Sequence, residues 1–311
     1  MKLKNTTISE DLERWIEAYL KHIQALSYSN NTFLLYRRIL LEFVEYSLDY
    51  QDEMQINDIK TTFLVNFLNY LENNSKNGNK LSKKTKITYL RVLTSFFSFI
   101  SDNNDLFVFS FDMKKIRFRT EKSEEKLNYL NENEIIRLNN VLEKEKAKKE
   151  VYNSFRNSLL IKLMLYGGLR ISEALNVKLC DFEEVDDEIL KISIIGKGGK
   201  EQFAFIKKEE VDDELEYFKE NIQDSDYIMQ TSTGKHLNRS NAFLIVNNIY
   251  AKALISKKGL HLLRHTLAMR LTAKGTNLVV IQKILRHANL NTTTIYAKAT
   301  NDTIKAALLN N

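Results

Sequence analysis

Apolar residues recur about every 3.6 positions through the first third of the chain, and this helical period constrains the fold more than any other feature of the sequence. It predicts one helix over about residues 9–26, a second over about residues 29–48, a third after Asn57 as its N-cap and a fourth after Ser82. The joins are short and polar, as in helical bundles. Proline is absent, so the turns depend on Gly, Asn, Asp or Ser.

The helical period stops near residue 112, where a charged stretch without a sustained apolar pattern begins. We interpret residues 113–130 as a linker between two domains, residues 1–112 and residues 131–311, because 311 residues is long for a single domain. Asn131, with Glu134 three positions later, has the spacing of a capping box and marks the first helix of the second domain.

The second domain is predicted to be mostly helical with one small sheet. Helices are expected at about residues 132–148, 153–165, 171–176, 208–221, 238–256, 260–273, 278–285 and 292–299. Between them the period switches to that of a strand, and the runs EILKISIIG and EQFAFI flank a GKGG turn, which predicts a β-hairpin. The expected fold class is mainly α: a four-helix domain followed by a mostly helical domain with a small antiparallel β-sheet.

Composition limits the function classes only broadly. A net charge of +6 and a pI of about 9.0 are compatible with a polyanionic partner but do not require one. Cys180 is the single cysteine, so no intrachain disulfide can form. No apolar run approaches the ~20 residues that span a bilayer, and the first residues carry no apolar signal segment. A cytoplasmic protein without a membrane partner is the expectation.

Four short segments of the last half carry side chains suited to phosphoryl transfer: GGLRISEAL, IGKGGKEQ, HLLRHT and LRHANLNTTTIYAKA. Their six candidate catalytic residues are Arg170, Lys197, His261, Arg264, His287 and Tyr296. Such a set of cations, imidazoles and one phenol can bind a phosphodiester, stabilise its transition state and attack it. Neither a metal nor a nucleotide is needed for that chemistry, so no cofactor is expected.

The two arginines are candidates for a phosphate clamp. A guanidinium presents a planar fork to two phosphate oxygens, and Arg170 follows two glycines at a helix junction. The alternative for Arg170 is a structural salt bridge with Glu173. His261 and Arg264 are three positions apart and share a helix face. Metal binding by His261 and His265 is a rival interpretation, disfavoured because no Glu follows His261 and the chain has no Cys pair.

Tyr296 is the candidate nucleophile. Its phenolate lies about 4 kcal/mol uphill at pH 7, so nearby cations and a proton acceptor are required. The chain has 14 tyrosines, and Tyr296 stands out by its position nine residues after His287, with Asn291 placed to cap a helix between them. Lys197 at the hairpin tip can protonate a leaving oxygen, although a plain turn lysine is the alternative. The segment lacks the Walker A spacing, so ATP use is not indicated.

Clusters of basic residues within the second predicted helix and at the start of the fourth are candidates for contact with DNA phosphates. The alternative is a solvated helix surface. The candidate residues are Arg37, Arg38, Lys83, Lys84 and Lys86.

At these motifs the sequence resembles the tyrosine recombinases of the Xer-like or phage-integrase type. The resemblance is strong from about residue 131 to the end, where the four segments occur in family order, and covers the first domain only in length and helicity. It implies that the six residues above are catalytic, with Tyr296 as nucleophile, that Glu173 is a supporting acid, and that His265 holds a motif position of uncertain role. Arg286 stands where the family usually has Gly, which could alter the helix end and add a charge near the phosphate.

The resemblance also implies a reaction and partners. The substrate would be a double-stranded DNA recombination site, cleaved through a 3′-phosphotyrosyl intermediate, with strands exchanged through a Holliday junction. Four protomers would act on two sites, a dimer on each, and a DNA translocase could activate them. The few residues before the first predicted helix leave no arm-site domain, which favours Xer-like resolution of chromosome or plasmid dimers. The alternatives are a mobile-element integrase, a type IB topoisomerase and a non-catalytic DNA-binding protein.

Overall fold

The computed structural model describes residues 7–50, 53–74, 80–105, 107–111, 116, 118, 128–148, 151–196, 199–223 and 226–287. The chain divides into two compact units, Met1–Glu124 and Glu125–Asn311. The predicted domain limits at residues 112 and 131 stay a prediction, because most of residues 113–130 lies outside the described residues. None of the helices in the described ranges is both long and apolar enough to cross a lipid bilayer.

The described part of the first unit contains four α-helices in the order that the apolar period predicts. They are α1 (Ile8–Ala25), α2 (Asn30–Ser47), α3 (Thr61–Asn73) and α4 (Lys83–Asp102). Thr7, Ser29 and Ser82 cap α1, α2 and α4, each accepting a backbone N–H with its side-chain oxygen. The expected N-cap at Asn57 is wrong: Asn57 lies inside a short 3₁₀ turn, Ile56–Asp58, and α3 begins only at Thr61.

Aromatic side chains dominate the core of the first unit. Phe43 packs edge-on against Phe63, Phe67 and Phe97, with ring centroids 5.8, 5.1 and 5.9 Å apart. Trp15 on α1 is 1% exposed and packs edge-on against Phe99. Full burial of each such ring contributes about 1.5–3 kcal/mol, so this cluster holds the four helices together.

The second unit is also mostly helical, and its helices follow the predicted order. They are α5 (Glu132–Lys148), α6 (Tyr152–Leu165), α7 (Ile171–Leu175), α8 (Asp212–Asn221), α9 (Arg239–Lys252), α10 (His261–Ala273) and α11 (Leu278–Ile284). The predicted capping box before α5 is confirmed: the Asn131 N–H donates to Glu134 Oε2 at 2.8 Å, and the Glu134 N–H donates to Asn131 Oδ1 at 2.9 Å. The helix expected at residues 292–299 lies outside the described residues.

Two predicted helix limits in the second unit differ from the structure by four residues. The helix expected from residue 208 begins as an α-helix only at Asp212, after a 3₁₀ turn at Lys208–Glu210. The helix expected to reach residue 256 ends at Lys252, and the chain reverses through Leu254, which has φ of +55°.

Helix α6 forms the centre of the second unit and contacts α5, α8, α9 and α10. From Ser158 to Leu165 it is buried on all sides, including the charged Lys162. The buried carboxylate of Glu214 accepts from Lys162 Nζ at 3.0 Å, from Lys146 Nζ at 2.9 Å and from Ser158 Oγ at 2.6 Å. The buried charges are therefore paired and hydrogen-bonded, as burial requires.

The sheet is antiparallel, in the order β1 (Phe182–Glu184), β2 (Ile189–Ile195) and β3 (Glu201–Lys207). The predicted hairpin of β2 and β3 is confirmed, and its tip is closed by Gly196 N–H donating to Lys200 O at 2.7 Å. The short strand β1 was not predicted, because three residues are too few to show a period. With this sheet, the expected mainly α fold with a small antiparallel sheet is confirmed.

A smaller apolar cluster places α11 beside α10. Leu267 and Met269 of α10 pack with Ile281 of α11 and with Leu285 just after it. This packing positions the segment that follows α11, and with it His287, near the middle of α10.

Candidate active site

A close turn between α6 and α7 positions Arg170. Gly168 has φ of +61°, and a Cβ at this position would lie 2.9 Å from Leu267 Cδ2 and 3.1 Å from Leu285 Cδ2. Both the backbone conformation and the close neighbours therefore require glycine. Arg170 follows as the extended N-cap residue of α7, so the turn holds its side chain at a fixed point.

Arg170 is held by three hydrogen bonds. Its Nη1 donates to Glu173 Oε1 at 2.6 Å, its backbone N–H to Glu173 Oε2 at 2.8 Å and its Nη2 to the Arg286 carbonyl oxygen at 2.8 Å. The salt bridge between Arg170 and Glu173, which the sequence suggested as the structural alternative, is therefore present. About a third of the side chain is still exposed, at 35%, so Arg170 is both braced and accessible.

Arg264 connects the turn to the end of α11. It is 5% exposed, and its Nη1 and Nη2 donate to the carbonyl oxygens of Gly168 and Leu285. Because Gly168 lies two residues before Arg170 and Leu285 two residues before His287, these bonds bring the three predicted site residues into one cluster.

The three histidines of this cluster have lowered pKa values. Burial lowers the pKa of His261 most, and positive charges that include Arg264 and Arg170 lower it further. Burial, His261 and Arg264 lower the pKa of His265. Burial, followed by Arg264 and Arg170, lowers the pKa of His287 to about 4. The imidazoles are therefore neutral at pH 7, and each can accept a proton or donate one ring N–H.

Glu173 is ionised despite its burial. Burial raises the pKa of Glu173, but the Arg170 backbone N–H and the charge of Arg286 act against it, and the pKa lies below its usual range. The carboxylate therefore carries a negative charge between two guanidinium groups.

Arg286 occupies an unusual position at the end of α11. Its φ is +52°, a left-handed conformation that costs about 1–2 kcal/mol for a residue with a Cβ. Its side chain is 6% exposed. The guanidinium donates to Ile284 O at 2.9 Å through Nη1, and to Gly168 O at 3.0 Å and Glu173 Oε2 at 2.9 Å through Nη2. The sequence predicts the positive charge of Arg286 near the phosphate, whereas its guanidinium points into the protein, towards Glu173.

Two clefts border the cluster. One, of about 460 Å³, lies between β3 and α11 and includes Phe203, Lys283 and His287. The other, of about 310 Å³, includes His261, His265 and the exposed Arg239. Arg239 is a site residue that the sequence did not reveal: its charge lowers the pKa of His261, but it lies in no recognisable motif.

Four of the six predicted catalytic residues are brought together: Arg170, His261, Arg264 and His287. Lys197 and Tyr296 lie outside the described residues, as does Asn291. The catalytic assignment of all six residues stays a prediction. No cluster of three or more His, Cys, Asp or Glu side chains suited to a metal ion occurs in the described ranges.

The candidate DNA contacts of the first unit differ in exposure. Arg37 and Arg38 on α2, and Lys83 and Lys84 in the first turn of α4, are exposed. Lys86 is 19% exposed and forms an ion pair of 2.8 Å with Glu72. Its charge is therefore already balanced within the unit, which makes it the least suited of the five to hold a phosphate.

Comparisons with known proteins agree on one family. Residues 128–302 match the model of the phage integrase family, and residues 11–98 match that of the phage integrase SAM-like domain. The chain is 32% identical over 235 residues to the tyrosine recombinase XerH of Campylobacter jejuni, covering 73% of this chain and 65% of that relative. It is 27% identical over 302 residues to the tyrosine recombinase XerC of Staphylococcus aureus, covering 94% and 95%.

Solved structures show the same fold. The post-cleavage complex of XerH site-specific recombinase with a palindromic difH substrate superimposes with a TM-score of 0.79 at 23% identity, covering 98% of each chain. The Tn1549 transposon integrase in complex with circular intermediate DNA gives a TM-score of 0.68 at 18% identity, covering 98% of this chain and 99% of that one. Both likenesses concern the fold. With the family model matching more than half of its residues, the chain belongs to the phage integrase family of tyrosine recombinases.

Proposed function

We propose that this chain is a site-specific DNA recombinase that breaks and rejoins strands through Tyr296. The observation that carries the proposal is the convergence of Arg170, Arg264, His261 and His287 within one folded unit, through the hydrogen bonds to Gly168, Leu285 and Arg286 described above. Four motif residues that are scattered in the sequence meet in one cluster, and this supports the cluster as the proposed binding site of the phosphodiester.

The proposed reaction is a pair of transesterifications. The Tyr296 oxygen attacks phosphorus, a phosphorus–oxygen bond to tyrosine forms, and the bond to the 5′ oxygen breaks. A neutral imidazole of the cluster accepts the phenol proton, and Lys197 protonates the leaving 5′ oxygen. A 5′-hydroxyl from another strand then attacks the 3′-phosphotyrosyl bond and releases the tyrosine. One phosphodiester is exchanged for another, so the reaction needs no ATP.

The two arginines supply positive charge to the transition state. The partly exposed Arg170 can pair with phosphate oxygens, whereas Arg264, whose Nη1 and Nη2 donate to carbonyl oxygens, contributes its fixed charge, which acts more strongly in a partly buried site than in water. Glu173 supports this arrangement by holding Arg170 in place. An incoming phosphate would also raise the pKa values of the neighbouring imidazoles, because a negative charge favours their protonated form.

For the biological role, we propose Xer-like resolution of chromosome or plasmid dimers, in the cytoplasm and linked to chromosome partition and cell division. The similarity to proteins named XerH and XerC over most of the chain supports this choice. The solved XerH relative is bound to a difH substrate, which supports a double-stranded recombination site as the partner here. The proposed assembly is a tetramer on two sites, a dimer on each, with a DNA translocase as a possible activator.

Covalent trapping tests the chemistry. Duplexes that the protein itself selects from a random-sequence pool are nicked, incubated with the protein and run on a denaturing gel. The wild type should form a DNA adduct, and Tyr296→Phe should bind the duplex without forming one. Tyr227→Phe is the matched control, since Tyr227 is a 41% exposed tyrosine in the same unit. An adduct that persists in Tyr296→Phe, or maps to another tyrosine, rejects the assignment.

The products and conditions separate the remaining alternatives. Cleavage should survive EDTA, and a metal requirement would contradict the mechanism. Relaxation of supercoils by monomers without recombinant products would identify a topoisomerase, and binding without any adduct would identify an architectural protein. A footprint of the native genome separates the two recombinase roles: a site at the replication terminus supports dimer resolution, and a site at the ends of a mobile element supports integration.

A further inference from the structure

The guanidinium of Arg286 has no part in the reaction proposed above, yet it lies at the centre of the cluster. Its side chain is 6% exposed, and it bonds to three different segments: Glu173 in α7, Gly168 in the turn before α7, and Ile284 at the end of α11. Its Nη1 and Nη2 are engaged, whereas the buried Nε has no partner among the described residues. Such burial is uncommon for an arginine unless its charge is paired. The contacts therefore call for a role within the site.

The backbone of the same residue also bears on the site. The Arg286 carbonyl oxygen accepts from Arg170 Nη2 at 2.8 Å, and the next residue is His287. Arg286 reaches this geometry with φ of +52°, a conformation that glycine would adopt without strain. An arginine at such a position needs compensating contacts, and its side chain supplies them by binding Glu173 and Gly168.

We propose that Arg286 is a positioning residue that keeps Arg170 available to the scissile phosphate. This inference rests on the proposed recombinase function. Arg170 holds Glu173 Oε1, and Arg286 holds Glu173 Oε2. The two arginines thus share one carboxylate, and each side chain takes a different oxygen.

Sharing the carboxylate has two consequences for Arg170. Without the Arg286 side chain, Glu173 Oε2 loses its only guanidinium partner among the described residues. The side chain of Arg170 can then pair with both carboxylate oxygens in the fork geometry that guanidinium groups favour. Arg170 would then be withdrawn towards Glu173. In addition, the two arginines and one carboxylate leave a net positive charge beside the phosphate, whereas Arg170 and Glu173 alone form a neutral pair.

Lysine would not replace the side chain fully. Two guanidinium nitrogens of Arg286 reach three acceptors, with Nη1 on Ile284 and Nη2 shared between Gly168 and Glu173. A single ammonium group carries the same charge but lacks this planar fork. Charge and geometry can therefore be separated by substitution.

The test compares Arg286→Gly, Arg286→Met and Arg286→Lys. Glycine suits the positive φ, so Arg286→Gly should fold, and methionine keeps part of the buried volume without the charge. Single-turnover cleavage of the selected nicked duplex is measured at saturating protein, and the dissociation constant is measured separately. We expect cleavage to fall about 100-fold in the Gly and Met variants with unchanged DNA affinity, the size of effect seen when a transition-state contact is lost. The Lys variant should retain an intermediate rate.

Two results would overturn the inference. One is wild-type cleavage by folded Arg286→Gly. The other is an equal loss in the Gly, Met and Lys variants accompanied by an equal loss of DNA affinity, which would indicate general disruption. A crystal structure of Arg286→Gly without DNA gives a readout independent of the reaction: Glu173 Oε2 should turn to the Arg170 side chain, and unchanged Arg170 bonds would refute the role. If the wild type forms no adduct at all, the proposed function fails, while this structural comparison still decides the inference.

Discussion

The substitution Gly168→Ala, which adds one methyl group, tests whether this position requires glycine. In Gly168→Ala, the new Cβ would lie 2.9 Å from Leu267 Cδ2 and 3.1 Å from Leu285 Cδ2, at a residue whose φ is +61°. The left-handed conformation costs about 1–2 kcal/mol for alanine, and forcing a methyl into a packed site costs about 1–3 kcal/mol more. We therefore expect the second unit to lose about 2–5 kcal/mol of its free energy of unfolding.

Gly234→Ala is the matched control. Gly234 lies in the same unit with φ of +74°, and apart from its two chain neighbours no atom of the described residues lies within 4 Å of the Cβ that would be added. This variant should show only the conformational cost of about 1–2 kcal/mol. The difference between the two variants isolates the contacts with Leu267 and Leu285.

The assay must report on the second unit alone. The only tryptophan of the chain, Trp15, belongs to the first unit, so tryptophan fluorescence is unsuitable. Hydrogen exchange of the buried amides of α6, followed by mass spectrometry, measures opening of the second unit directly. Equal losses of protection in Gly168→Ala and Gly234→Ala would refute the reasoning, because backbone strain alone would then explain both.

Two further predictions concern charge. Burial and neighbouring charges lower the pKa values of His261 and His287, the latter to about 4. Between pH 6.5 and 4 the unfolded chain therefore binds more protons than the folded chain, and the free energy of unfolding decreases as the pH is lowered. We expect His287 to account for a loss of about 1–2 kcal/mol in the free energy of unfolding between pH 7 and 5, allowing for its partial exposure. Hydrogen exchange of the α6 amides in the wild type and in His287→Gln measures this loss, and an identical pH dependence of the two proteins would contradict it. In DNA binding, Lys84→Ala should reduce the dependence of the binding constant on salt concentration by about one phosphate contact. Lys86→Ala, which removes the ion-pair partner of Glu72, should leave this dependence unchanged. Equal salt dependences of the two variants, from titrations at several salt concentrations, would contradict this assignment.

The helices of the first unit were predictable from sequence because they are amphipathic, and several helix caps were predictable because they depend on local residues. The Asn131 capping box depends on residues three positions apart, and it forms as expected. The N-cap at Asn57 failed for a related reason: an Asn suited to cap a helix also suits a turn, and the Asp58 side chain accepts the Gln55 N–H and stabilises a 3₁₀ turn instead. The three-residue strand β1 depends on pairing with β2, which no local pattern reveals.

The site was predictable where a motif supplied it and not where only packing did. Arg170 and Arg264 were identified by their segments, and both donate to backbone carbonyl oxygens at the end of α11. Arg239 of α9 lines the same cleft as His261, and nothing in its neighbourhood in the sequence indicates this. The departure at Arg286 was visible in the sequence, but the direction of its side chain depends on Glu173, which lies 113 positions earlier in the chain.

The two carbonyl bonds of Arg264 have a consequence for the order of events during synthesis. One joins positions 96 residues apart, and the other joins positions 21 residues apart. Contacts that close long loops form late in folding, since the chain loses much entropy before they are made. We therefore expect a nascent or partly folded copy to lack the arginine cluster on which the proposed cleavage depends.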